Sequence, residues 1–308
     1  MQSGLRAAAV AVCLAASCVA AGAWAGVIEP ARLQAGSPVQ GDPARVAEAP
    51  PPAARAITLA PHVTELLFAA GAGDKIVGTV SSSDFPARAK TIPRVGDGMN
   101  ANVEKTLALR PDVAIAWLPS GAAQTLAPSL SRLGIPLLYS RPLTLDDIPE
   151  QILRFGKLFA TGDTALLAAS ALDARIKALR ADHARSEPVG VFIEIGASPL
   201  YTIGKDPLLN DALHACGGVN VYADTAIAAP QISIESVLVK QPKVVIAPTT
   251  SAGRLEEVRQ RWAALHLPAA LRSHVYGIDP DALFRPGPRL IDAVEELCAH
   301  LDQSRLTP

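Results

Sequence analysis

The chain has 308 residues, 49% of them hydrophobic and 19% charged. That apolar content excludes wholesale disorder, and the length fits two lobes of roughly 100–150 residues each. Lys and Arg total 28 against 29 Asp and Glu, and aromatics make up only 4%, which excludes an electrostatic nucleic-acid binder and a broad base-stacking platform.

Residues 1–25 carry one charge, Arg6, then an apolar run, then Ala23-Trp24-Ala25. A basic start, an apolar middle and an A-x-A site predict a cleaved secretory signal peptide, so the mature protein is expected outside the cytoplasm. The run is Ala-rich and short for a membrane anchor. Cys18 lacks the large aliphatic residue three positions upstream that a lipoprotein site favours. Residues 26–54, with Pro50-Pro51-Pro52 near their end, read as an Ala/Pro-rich flexible tether.

From Arg55 onward, short β-branched runs alternate with helical patterns. Strands are predicted at 56–59, 75–80, 113–117 and 136–139, and helices at 63–70, 102–109 and 126–133. This alternation with short connections predicts a mostly parallel sheet covered by helices, an N-terminal lobe over 55–142. Residues 143–187 carry apolar side chains at helical spacing, with a soft interruption at Thr161-Gly162-Asp163. They read as a helical spine. A second lobe over 188–303 repeats the alternation. It has strands at 189–195, 243–247 and 275–278, and helices at 206–215, 233–240, 255–264 and 289–301.

The halves repeat in register. Residues 102–116 align with 233–247 at a constant offset. Each copy has a capping residue, Asn102 or Ser233, then a Glu two positions on, a helix, a Pro stop and an apolar strand. Fifteen positions in register indicate a duplicated two-lobed design, which places a ligand cleft between the lobes.

Catalytic signatures are weak. No G-x-S-x-G or H-E-x-x-H motif is present. Gly204-Lys205 is no P-loop, because Pro199 stands where the first Gly is required. Gly96-x-Gly98-x-x-Ala101 has no clear leading strand and no acidic residue at the right distance. An extracytoplasmic hydrolase would need an activated nucleophile beside a base, and none is visible. Several residues admit two readings. His62, at a helix start beyond a strand end, is a solvated polar residue or a cleft contact able to reach a metal centre. Glu104 and Glu235 stabilise helix dipoles or dock a basic partner. Asp281 and Arg285 form a surface ion pair or hold polar groups of a ligand. Cys216 and Cys298, the two cysteines beyond the signal, read as one disulfide, with a metal pair as the alternative.

In this order and spacing, several segments resemble the cobalamin-binding periplasmic proteins of bacterial vitamin B12 ABC importers, within the wider group of metal-chelate binding proteins. They are residues 57–66, Ser83-Asp84-Phe85-Pro86, residues 102–117, Tyr201-Thr202-Ile203-Gly204-Lys205, Cys216-Gly217-Gly218-Val219-Asn220, Pro230-Gln231-Ile232-Ser233 and Pro288-Arg289. The resemblance implies two similar α/β lobes with mostly parallel sheets joined by one long spine helix, the class III periplasmic binding protein architecture. It implies a monomeric, non-enzymatic protein without a cofactor that hands a corrinoid to an ABC permease dimer in the inner membrane. It assigns Glu104 and Glu235 to permease docking, pairs Cys216 with Cys298, and places Trp117, Asp281 and Arg285 at the ligand. His62, Ser82 and Tyr201 complete the expected ligand-binding set. Family aromatics are replaced at Ser82, Gly96 and Ala229, which leaves haem or a ferric siderophore as the alternative ligand. For haem, Tyr201 and His62 are the candidate axial ligands.

Overall fold

A computed structural model describes residues 51–306; the expected signal peptide and the tether up to residue 50 lie outside the described residues. Ala53 N–H donates to Leu158 O at 2.9 Å. The N–H groups of Ala54 and Arg55 donate to the Asp112 carboxylate at 2.7 and 3.0 Å. The chain is therefore anchored from Ala53 onward.

The first half runs β1 (Ala56–Thr58), α1 (Pro61–Ala69), β2 (Ile76–Val80), β3 (Arg94–Gly96), α2 (Val103–Ala108), β4 (Val113–Ala116), α3 (Ala122–Arg132) and β5 (Leu137–Tyr139). The strands pair in parallel in the order β3-β2-β1-β4-β5. A parallel sheet is covered on both faces, so its strands are apolar throughout. In β4, Val113 and Ile115 join one core cluster while Ala114 and Ala116 join another on the opposite face. That is the two-residue period of a strand serving two helix layers.

Two helices follow, α4 (Asp147–Phe159) and α5 (Gly162–His183). The stretch expected as one spine breaks at Ala160, which takes the left-handed conformation at φ 55°. Helix α4 turns back onto α1 and α5, and Gly156 lets it approach: a Cβ there would lie 2.2 Å from the Ala165 side chain. The crossing is made by α5 alone, whose 22 residues span about 33 Å. It packs on α1 in the first half and on α6 and α11 in the second, both introduced below. Ala165, Ala169, Leu172 and Ile176 form its buried face.

The second half runs β6 (Val189–Ala197), β7 (Leu200–Thr202), α6 (Pro207–Ala215), β8 (Gly218–Asn220), α7 (Ile234–Lys240), β9 (Val244–Pro248), α8 (Ala252–Ala264), α9 (Pro268–Leu271), β10 (Val275–Ile278), α10 (Pro280–Leu283) and α11 (Arg289–Leu306). Parallel pairings give β8-β6-β9-β10, and β7 folds back antiparallel on β6. This is the order β2-β1-β4-β5 of the first half, so the repeat seen in sequence is a repeat in topology. Its local devices coincide as well. Asn102 caps α2 by accepting from Lys105 N–H at 2.8 Å, and Ser233 caps α7 by accepting from Ser236 N–H at 3.2 Å. Both helices stop on a left-handed residue before a proline, Arg110 at φ 47° and Gln241 at φ 44°.

Cys216, at the end of α6, is bonded to Cys298 of α11, which settles the pair as a disulfide.

Candidate ligand-binding cleft

In an open parallel sheet, neighbouring connections diverge where the strand order reverses, and ligands bind beyond the strand ends there. In the first half this point lies between β1 and β4. Strand β1 leads into His62 and β4 leads into Trp117, and the two rings meet edge to face with centroids 5.3 Å apart. Trp117 is 42% exposed, whereas His62 is 1% exposed. The His62 Nε2–H donates to Ser140 O at 3.1 Å. Burial pushes its pKa down to about 4, against the opposing pull of the Ser140 carbonyl. The solvated reading of His62 is thus corrected: it is a neutral, buried ring that supports Trp117 from beneath.

The loop after β2 is held by buried hydroxyls. Thr58 Oγ1 lies 2.7 Å from Thr64 Oγ1 and 2.8 Å from Thr79 Oγ1, and Thr64 Oγ1 donates to Ser83 Oγ at 3.0 Å. This network fixes Asp84 and Phe85, which reach the second half. Arg285 Nη1 donates to Asp84 Oδ1 at 2.7 Å, and its Nη2 lies 2.7 Å from Asp281 Oδ1. Arg289 makes a forked pair with Glu65 at 3.0 and 2.6 Å, and its guanidinium sits 4.4 Å over the Phe85 ring. Burial pushes the Glu65 carboxyl above its ordinary range, although both arginines pull it down. Asp84 is pushed up by partial burial, but the Arg285 guanidinium outweighs this and holds it below the usual carboxylate range. Asp281 and Arg285 therefore belong to an ionic clasp between the halves.

Above Trp117 lies a cavity of about 360 Å³ lined from both halves. Trp117, Leu118 and Leu143 come from the first, and Leu208, Phe284 and Pro286 from the second. Arg141 and Lys205 stand at its wall. A second cavity of about 250 Å³ shares Trp117 and Leu118 and runs along the ends of β1 and β4. Of the six expected ligand residues, Trp117 lines these cavities. His62 lies beneath it, and Asp281 and Arg285 flank the cleft through Phe284. Ser82 is exposed on the loop after β2. Tyr201 sits on β7, bridged to Gln231. Neither Ser82 nor Tyr201 is brought to the lining. At Gly96 a Cβ would lie 2.0 Å from the Asn100 carbonyl oxygen, so this backbone admits no aromatic there.

Sequence reasoning passed over Arg141, Lys205, Glu65, Asp84 and Arg289 as site residues. Arg141 had a usable signal, since it follows the end of a parallel strand. The clasp had none, because its partners are more than 200 positions apart.

Glu104 and Glu235 occupy the second positions of α2 and α7. Both are exposed. The Glu235 carboxyl is held below its ordinary range by backbone N–H and Ser233 hydroxyl hydrogen bonds.

Two like-ordered α/β lobes, a single crossing helix and an apolar cavity lined from both define a two-lobed solute-binding protein, a carrier rather than an enzyme. A model of the periplasmic binding protein family matches residues 57–282, and the chain belongs to that family. It is 36% identical over 252 residues to the vitamin B12-binding protein of Vibrio cholerae serotype O1, covering 82% of this chain and 90% of that one. The crystal structure of the periplasmic vitamin B12 binding protein BtuF of Vibrio cholerae superposes with a TM-score of 0.75 at 36% identity, covering 82% of this chain and 98% of that chain. The apo periplasmic heme-binding protein RhuT from Roseiflexus sp. RS-1 superposes with a TM-score of 0.70 at 25% identity, covering 81% and 98%.

Proposed function

We propose that this chain is the vitamin B12-binding component of an ABC import system, which captures cobalamin or a related corrinoid between its lobes. The observation that carries this reading is the match to the vitamin B12-binding proteins along nearly their whole length. The apolar cavity above Trp117 supports it. The protein is exported by its signal peptide, works in the periplasm as a monomer, and delivers its ligand to a permease dimer in the inner membrane. Glu104 and Glu235, one on each lobe, are the docking anions. Complementary charge of this kind governs encounter and register. The preformed cleft supplies affinity, because lobes already tied together lose little freedom on binding.

Calorimetric titration of the chain from Val27 onward, with cyanocobalamin, dicyanocobinamide and haemin in parallel, tests the reading. One-to-one corrinoid binding at submicromolar Kd, about -8 kcal/mol or better, is expected. Tight haemin binding without corrinoid binding would reassign the ligand to haem.

A further inference from the structure

The cleft holds four guanidinium or ammonium groups, and they divide sharply. Arg285 and Arg289 are committed to Asp84, Asp281 and Glu65. Arg141 and Lys205 line the apolar cavity itself, and neither side chain has a hydrogen bond or ion pair among the described residues. They come from different halves of the chain. Arg141 follows β5 of the first half, and Lys205 lies between β7 and α6 of the second. The acid beside them, Asp206, is engaged as the cap of α6, accepting from Leu209 N–H at 2.9 Å.

We infer that Arg141 and Lys205 are a two-sided anion subsite that selects a ligand with an apolar body and a negatively charged appendage. Resting on the corrinoid reading above, the inference assigns them to the phosphodiester of the cobalamin nucleotide loop. The corrin fills the apolar cavity against Trp117 and Phe284, and the phosphate bridges the two lobes. Unpaired cations beside an apolar wall are weakly screened once ligand displaces water, so a charge-assisted bond to phosphate is strong there. The subsite makes the protein a reader of complete cobalamin rather than of the corrin ring alone.

The test compares cyanocobalamin with dicyanocobinamide, which keeps the corrin and lacks the phosphate loop. Both are titrated into the wild type, R141Q/K205Q and R141K/K205R. R141Q/K205Q should lose about tenfold or more in cyanocobalamin affinity, the fold-change expected for lost charged hydrogen bonds. Its dicyanocobinamide affinity should stay within about twofold of wild type. R141K/K205R, which keeps both charges, should restore most of the cyanocobalamin affinity. Equal losses for both corrinoids, or no loss for either, would overturn the subsite and leave the corrinoid function standing. A wild type that binds neither corrinoid would overturn both.

Discussion

His62 makes stability depend on pH in a direction that can be worked out. Its folded pKa is lowered from 6.5 to about 4, with burial as the main cause. A depressed pKa means that the unfolded chain binds the proton more readily. The stabilisation is therefore complete above the unfolded value and is lost as pH falls through 6.5 towards 4. Linkage gives a loss of about 2 kcal/mol at pH 5, rising to about 3 kcal/mol below the folded pKa. His274 and His300 are also depressed, each chiefly by burial, and add to the acid loss of the wild type. The readout must therefore be a difference between proteins. In His62→Gln the amide can still donate to Ser140 O, but nothing at that position titrates. Urea unfolding across about pH 8 to pH 5 should show the wild type losing about 2 kcal/mol more than the variant. Parallel curves for the two proteins would refute the account of His62 as a buried neutral support.

Glu65→Gln removes the counter-ion of Arg289 while leaving Arg285 with Asp84 and Asp281. Breaking a buried pair on one side should cost about 3 kcal/mol in urea unfolding, whereas Glu65→Leu with Arg289→Met should recover most of it; equal losses in both variants would count against the buried pairing. Cys216→Ala with Cys298→Ala opens a link between residues 82 positions apart, and thermal unfolding should register a loss of about 4 kcal/mol. Charge reversal at both Glu104 and Glu235 should leave cyanocobalamin affinity unchanged in calorimetry and abolish stimulation of the reconstituted transporter's ATPase. Normal stimulation by that double variant would remove the docking role.

Sequence patterns reveal the elements whose cause is local. Asn102 and Ser233 announce their helices by capping chemistry, Pro111 and Pro242 announce the stops, and the apolar runs of β4 and β9 announce buried strands. The constant offset between these segments is enough to see the duplication. Three- and four-residue elements such as β3, β7, β8, α9 and α10 leave no measurable period. Helix α3 starts a turn earlier than its leucines suggest, because Ala122 and Ala123 are buried without being large. The spine was legible as helix with an interruption near Thr161-Gly162-Asp163, but not as two helices folded back on each other, since the reversal depends on Ala160 taking a left-handed conformation that its residue type does not favour.

The site was less legible than the fold for a physical reason. Trp117 enters the expected site through the family resemblance, and the structure does place it on the cavity lining. The roles of the charges cannot be chosen that way, because a charge is defined by its partner. Arg285 could be singled out as a ligand contact, but its partner Asp84, which arrives from the other lobe at 2.7 Å, could not be foreseen. Arg141 looks like an ordinary surface cation until the cavity forms beside it, where the neighbouring acid, Asp206, caps α6 and no ion pair to Arg141 is found among the described residues. The same folding event thus consumes Arg285 and Arg289 in a clasp between the lobes and leaves Arg141 and Lys205 without an ion pair among the described residues. On the subsite inferred above, stability and recognition would draw on the same residue types, and only the pairing of the two lobes would assign each residue to its task.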